Sequence, residues 1–223
     1  MVIKLGKGFN DLLIKNDKLL VGASILDVNL SKFALENSIS NFEFYTGIPG
    51  TIGGAIKMNA GCYGCETKNV VHGVNVIDRI GNEQYLDLNK LQFKYRSSYI
   101  DDHTFVKNVI FKIKREDINV IKNKMKKIIN ERNLSQPLRS KTSGSTFKNP
   151  KGLIAAKLIE ECGCKDIKVG NASVSEKHAN FIINNGGSSS KDIETLGKLI
   201  QERVYNKFNL SLEWEIKIIG VNV

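Results

Sequence analysis

Between residues 41 and 66 the chain reads NFEFYTGIPGTIGGAIKMNAGCYGCE, a stretch rich in glycine and small residues and almost free of charge. Its centre, Gly47-Ile48-Pro49-Gly50-Thr51-Ile52-Gly53-Gly54-Ala55, holds too many glycines for a packed strand or helix. Glycine reaches positive φ and lets the backbone approach a ligand closely. Backbone N–H groups in such a loop can form a nest for a diphosphate. The loop lacks the G-K-[ST] of a P-loop and is not G-x-G-x-x-G. The competing reading is a tight turn between strands.

The chain has 223 residues. At ~150 residues per domain this is one large domain or two small ones. A chain of this size buries roughly 70% of its unfolded surface, so no disulfide or metal is needed for folding. The hydrophobic fraction is 41% and the charged fraction 25%, ordinary values for a soluble globular protein. No apolar run approaches the ~20 residues of a membrane span. The opening MVIKLGKGFN lacks an apolar signal core. These features exclude collagenous, disordered and membrane-spanning classes, and a cytoplasmic chain is expected.

The formal net charge is +10. Such a balance attracts nucleic acid, anionic lipid or phosphorylated small molecules. The densest run, Lys122 to Arg132, reads as the solvated face of one helix, and no nucleic-acid motif accompanies it. Neither nucleic acid nor membrane is therefore an expected partner. The four cysteines form two close pairs, Cys62 with Cys65 and Cys162 with Cys164. Zinc and redox readings exist for such spacings, but ordinary reduced thiols and no metal are the expectation.

Strand and helix patterns alternate without a steady period, so the class is α+β. Short strands are expected in VIKL, DLLI and KLLVGASI, and a short helix over residues 30–40. Residues 70–80, 84–88 and 104–114 alternate polar and apolar as half-buried strands do. Residues 116–133 form an amphipathic helix. A helix over residues 152–161 is expected to start at Pro150 and to be capped by Gly163. VSEKHANFIINNGG reads as a strand and turn, and a helix runs from Ser190 to about Lys207. LEWEIKII closes the chain as a strand with Leu212, Trp214, Ile216 and Ile218 on one face. The boundary is placed at 115, giving units 1–115 and 116–223.

Four other positions stand out. Ser145, in KTSGSTFKNP, could donate a proton if a neighbour held it, or the loop could simply cap the next helix. Arg96, among the aromatics of FKYRSS, could clamp an anion or lie at the surface. Glu215 could act as an acid or be solvated, and His178 in KHANF reads as a structural histidine.

Taken in order, YTGIPGTIGGAIKMNAGCYG, FKYRSS, SGSTFKNPKGLIAAKLIEECG, VSEKHANFIINNGG and LEWEIKIIG resemble the UDP-N-acetylenolpyruvoylglucosamine reductase (MurB) family of flavoenzymes, over residues 5–220. The resemblance implies the second lobe of a vanillyl-alcohol-oxidase-type FAD-binding domain, followed by a MurB-type C-terminal α+β substrate domain. It implies FAD, reduced by NADPH, and UDP-N-acetylglucosamine enolpyruvate as substrate, in peptidoglycan precursor synthesis. By its motifs Ser145 is the proton donor, Arg96 the cation that stabilises the enolate, and Glu215 the completing acid. Tyr95, Lys148 and Asn149 take the substrate side. Gly6, Gly8, Asn10, Gly47, Ile48, Pro49, Gly50, Thr51, Gly53, Gly54, Asn59, Ala60 and Gly61 face the flavin. A monomer is expected.

The chain departs from the family pattern in three places. The LGKGFN segment stands almost at Met1, where family members carry an earlier flavin lobe. Phe9 replaces a serine that contacts phosphate, and Ser97 replaces the aspartate of YRDS. Three explanations stay open: a start further upstream, a truncated and inactive or flavin-free remnant, or a lobe supplied by another polypeptide.

Overall fold

The structure, a computed structural model, describes residues 4–220. Val2 and Ile3 of the expected VIKL strand lie outside the described residues. Two compact units make up the chain, one ending at Glu131 and the other beginning at Arg132.

The first unit contains β1 (Leu12–Lys15), β2 (Lys18–Gly22), α1 (Asp27–Glu36), α2 (Ile52–Lys57), β3 (Gly61–Cys62), β4 (Cys65–Glu66), β5 (Val71–Ile77), β6 (Glu83–Asp87), α3 (Leu88–Leu91) and β7 (Phe105–Lys112). Five of the strands form one antiparallel sheet in the order β1-β2-β7-β5-β6. Leu19 and Val21 of β2, Val74 and Val76 of β5, and Val109 and Phe111 of β7 point into the core. Strict alternation would not bury both Val106 and Val109. A register shift resolves this: Val76 pairs with Val106 while Asn75 pairs with Asn108, leaving Lys107 as the extra residue of a bulge.

Leu30 and Ala34 of α1 cover that face, together with an aromatic cluster. Phe42 meets Phe111 edge-on at 5.4 Å, and Phe44 stacks on Tyr45 at 4.1 Å. The Tyr45 hydroxyl is satisfied by Thr67 Oγ1 at 3.1 Å. Fully burying the phenol pushes its pKa well above the ordinary tyrosine range.

Helix α4 (Ile118–Ser135) follows, and the division between the units falls inside it rather than before it. Its buried residues, Ile121, Met125 and Ile128, keep the helical spacing of the sequence pattern.

The second unit contains α5 (Ala155–Glu161), β8 (Lys168–Val169), β9 (Ala172–Val174), β10 (Ile182–Asn184) and α6 (Ser190–Phe208). Its sheet is antiparallel in the order β10-β9-β8. Leu196, Ile200 and Val204 form the inward stripe of α6. The helix opens with a capping box, in which Ser189 and Asp192 exchange side-chain-to-backbone bonds.

Three expectations are corrected here. VSEKHANFIINNGG is not one strand: β9 ends at Val174, a turn crosses 175–181, and β10 returns antiparallel. The helix after Pro150 begins only at Ala155, with Ile154 as N-cap, and the Asn149 side chain accepts from the Ala155 N–H at 2.9 Å. LEWEIKII forms no strand. Its pairing is reduced to one bridge, Trp214 with Phe147, and Ile218 is 53% exposed.

Candidate functional site

The glycine-rich stretch is more regular than its composition predicts. Residues Ile52–Lys57 form α2, so glycines 53 and 54 lie inside a helix, with Thr51 as N-cap accepting from the Gly54 N–H at 3.4 Å. Helix propensity opposes this by about 1 kcal/mol per glycine. Packing overrides it, since a Cβ on Gly53 would meet Ala23 at 3.1 Å. The expected anion nest is correspondingly incomplete. The Ile52 and Gly53 amides are already bonded to the carbonyls of Ile25 and Ala23, each at 2.9 Å.

What remains open is a cavity of about 260 Å³ lined by Leu5, Thr51, Gly53, Gly54 and Lys57 among others. The nearby segment of Gly6, Gly8 and Asn10 is exposed, and no atom lies within 4 Å of a Cβ built on either glycine. That segment is fastened by Phe9, whose carbonyl accepts from both the Ser24 amide and hydroxyl. Gly47 and Ile48 end a 3-10 turn, whereas Pro49 and Gly50 are exposed.

Close against Gly50 lies a residue that no sequence pattern singles out. Asp27 is 1% exposed, and neither carboxylate oxygen has a hydrogen-bond partner. A Cβ on Gly50 would stand 2.9 Å from Asp27 Oδ2. Burial pushes the Asp27 pKa up to about 7. In sequence it looks like any acid in the first turn of a helix.

Asn59 is fully buried, and its side chain is used internally. Nδ2 donates to Glu66 Oε2 and to the Lys94 carbonyl at 3.1 and 3.0 Å, and Oδ1 accepts from the Lys68 amide at 3.0 Å. Asn59 thus ties the end of the glycine stretch to the turn carrying Tyr95 and Arg96. Ala60 pairs through its carbonyl with Thr67. Arg96 Nη2 donates to the Gly61 carbonyl at 3.2 Å, and its guanidinium lies 4.8 Å from the Tyr95 ring centroid. Arg96 has φ +54°, an uncommon conformation for a residue with a Cβ.

In the second unit Ser145, Lys148, Asn149 and Glu215 lie on two adjoining segments. Ser145 is part-buried and bridges to Phe181. The Glu215 amide donates to the Thr146 carbonyl at 2.9 Å, and the Lys148 amide donates to the Glu213 carbonyl at 2.8 Å. Lys148 Nζ also pairs with Glu213 at 3.1 Å. A third segment completes the seat through Asn180, which is 3% exposed. The Thr146 amide donates to the Asn180 carbonyl at 2.8 Å. Asn180 Oδ1 accepts from the Phe147 amide at 3.0 Å, and Nδ2 donates to the Phe147 carbonyl at 2.8 Å. A side-chain amide therefore replaces a strand partner for Phe147. His178 has its ring against Phe181 at 4.6 Å, and burial holds its pKa below the ordinary histidine range. A cavity of about 1060 Å³ in this unit is lined by residues such as Arg139, Lys168 and Asn185 and by none of the predicted site residues.

Among the described residues no cluster of three or more potential ligands could hold a metal ion. No helix among them is long and apolar enough to cross a membrane.

Residues 136–219 match the profile of the UDP-N-acetylenolpyruvoylglucosamine reductase C-terminal domain, and residues 1–86 match an FAD binding domain. The UDP-N-acetylenolpyruvoylglucosamine reductase of Rickettsia akari (strain Hartford) is 43% identical over 220 residues, covering 99% of this chain and 75% of that protein. The enzyme of Rickettsia rickettsii (strain Sheila Smith) is 44% identical with the same coverage. The crystal structure of UDP-N-acetylenolpyruvylglucosamine reductase (MurB) from Thermus caldophilus superposes with a TM-score of 0.79 at 36% identity, covering 88% of this chain and 71% of that one. The expected fold, an FAD-binding lobe followed by a MurB-type C-terminal domain, is thereby met, and the chain belongs to the UDP-N-acetylenolpyruvoylglucosamine reductase family of FAD-dependent oxidoreductases.

Proposed function

We propose that the chain reduces UDP-N-acetylglucosamine enolpyruvate to UDP-N-acetylmuramate with electrons from NADPH, as a cytoplasmic step of peptidoglycan precursor synthesis. FAD, when bound and reduced, supplies the hydride that adds to the vinyl carbon. The first unit suits that cofactor: Thr51 and Gly54 border an open cavity, and the exposed glycines 6 and 8 leave backbone within reach of a ligand.

Ser145 gives its hydroxyl proton to the neighbouring carbon. A serine is a poor acid at neutral pH, so it serves only beside an anionic intermediate in a site that excludes water. Arg96 spreads the enolate charge through its planar guanidinium. Glu215 completes the charge network, and Tyr95, Lys148 and Asn149 bind the substrate. The observation that carries this reading is the seat of Ser145. Ser145 is part-buried on a segment bonded on both sides, with Glu215 held across from its neighbour Thr146.

Rapid mixing separates the two half-reactions. In Ser145→Ala, flavin reduction by NADPH is expected at the wild-type rate, and reoxidation by the enolpyruvyl substrate about 10²–10⁴-fold slower. Unchanged reoxidation would remove Ser145 from the mechanism.

A further inference from the structure

The hairpin formed by β3 and β4 places Cys62 directly opposite Cys65. Tyr63 and Gly64 join them, with φ of +53° and +79°. Two positive-φ residues at the tip are the mark of a tight hairpin turn whose twist matches its strands. Directly opposed residues on antiparallel strands put their side chains on the same face. Their Cα atoms stand about 4.5–5.5 Å apart, inside the roughly 4.4–6.8 Å that a disulfide spans.

The two thiols differ in access. Cys65 is exposed, and Cys62 is half-buried with its Sγ donating to the Phe44 carbonyl at 3.2 Å. The other pair is built differently. Cys164 is buried with its Sγ on the Cys162 carbonyl at 3.8 Å, and burial pushes both the Cys162 and Cys164 thiols up, away from the reactive thiolate. These two cysteines serve as an internal control.

We propose that Cys62 and Cys65 form a thiol–disulfide exchange site that takes small disulfides of the glutathione class. The Cys65 thiolate attacks one sulfur of glutathione disulfide and expels a glutathione thiolate. The Cys62 thiolate then attacks Cys65 Sγ in the mixed disulfide and expels the second glutathione. The two protein thiols lose two electrons and two protons in all, and one glutathione disulfide becomes two glutathione thiols. Closure removes the Cys62 bond to Phe44 and locks a hairpin that also carries two site contacts, the Gly61 carbonyl held by Arg96 and the Glu66 carboxylate held by Asn59. The proposal stands apart from the reductase reading, since it concerns only the hairpin.

The test incubates the reduced, folded chain in glutathione buffers of rising oxidised fraction. After an acid quench, open thiols are alkylated and the digest is mapped by mass spectrometry without reduction. The expected result is joint loss of alkylation at Cys62 and Cys65, a peptide bridged between them, and continued alkylation of Cys162 and Cys164. In Cys62→Ser the reaction stops earlier, with glutathione retained on Cys65. A wild-type chain that keeps glutathione on Cys65 without closing the bridge overturns the proposal. So does a bridge from either residue to Cys162 or Cys164, or oxidation of Cys162 and Cys164 as readily as of Cys65.

Discussion

Removing the Asn180 side chain should cost the second unit much of its stability. In Asn180→Ala, the Phe147 N–H and C=O each lose the partner they now have at 3.0 and 2.8 Å. Phe147 is 1% exposed, so water cannot replace either bond without opening the core. A buried polar group left unsatisfied costs about 1–3 kcal/mol, which gives about 2–6 kcal/mol for the pair. Domains of this kind hold only about 5–15 kcal/mol in total. At about 2 kcal/mol per molar urea, the middle of the usual range for small domains, the midpoint should fall by about 1–3 M. Trp214, the chain's single tryptophan, has its ring tilted against Phe147 at 4.9 Å, so its fluorescence reports unfolding at this place. Asn180→Asp sharpens the argument. It keeps an acceptor for the Phe147 amide and loses the donor to the Phe147 carbonyl. The ionised form is therefore penalised, and the new carboxyl's folded-state pKa lies above its unfolded value. The variant should regain stability on acidification and lose it as pH rises. Alanine and aspartate variants both within about 0.5 kcal/mol of wild type would refute the view of Asn180 as a surrogate strand.

Three further outcomes follow from the same geometry. Asp27, with its pKa raised to about 7, contributes stability that is full below its unfolded pKa near 4 and is lost as pH rises toward 7. Asp27→Asn should thus flatten the pH dependence of the urea midpoint between pH 4 and 8 by on the order of 4 kcal/mol, and an unchanged slope would show that the carboxylate is solvated. Arg96→Gly relieves a positive-φ residue, worth about 1 kcal/mol in thermal stability, while abolishing turnover; loss of stability would show that the bond to the Gly61 carbonyl outweighs the strain. In Gly197→Ala the added Cβ would sit 2.0 Å from Trp214 Cη2, so the helix-propensity gain of about 1 kcal/mol is outweighed by about 1–3 kcal/mol of overpacking, and Trp214 fluorescence should shift in the folded state.

Much of the fold was legible because periodicity reports burial. The alternation of 70–80, 84–88 and 104–114 became β5, β6 and β7, and the stripes of 116–133 and 190–207 became α4 and α6. The misreadings share a cause: in each, a non-local contact overrode a local preference. Gly53 and Gly54 look like loop residues until Ala23 is seen pressing on position 53. LEWEIKII alternates as a strand should, yet its pairing comes down to one bridge, Trp214 with Phe147. The phase slip in β7 is invisible until its neighbour's register is known. Asp27 and Asn180 were missed because their importance lies in what surrounds them. One is an acid without a donor, the other an amide facing a bare peptide, and neither condition leaves a mark on the adjacent residues.

The three segments GSTFKNP, KHANF and LEWE are far apart in sequence, and the second unit gives a physical reason for their dependence on one another. Thr146 to Lys148 is an extended piece with strand-like needs and no strand of its own. On one side, Asn180 supplies a backbone carbonyl to Thr146 and its side-chain amide to both polar groups of Phe147. On the other, Glu213 accepts from Lys148, and Glu215 donates to Thr146. Trp214 then anchors this second flank against Phe147 and into the gap left by Gly197. Every peptide group from 146 to 148 named here is held by one of the other two segments, so loosening either flank frees the backbone next to Ser145. The proton transfer proposed for Ser145 demands a rigid seat. Here that rigidity comes from hydrogen bonds that no single segment can make alone.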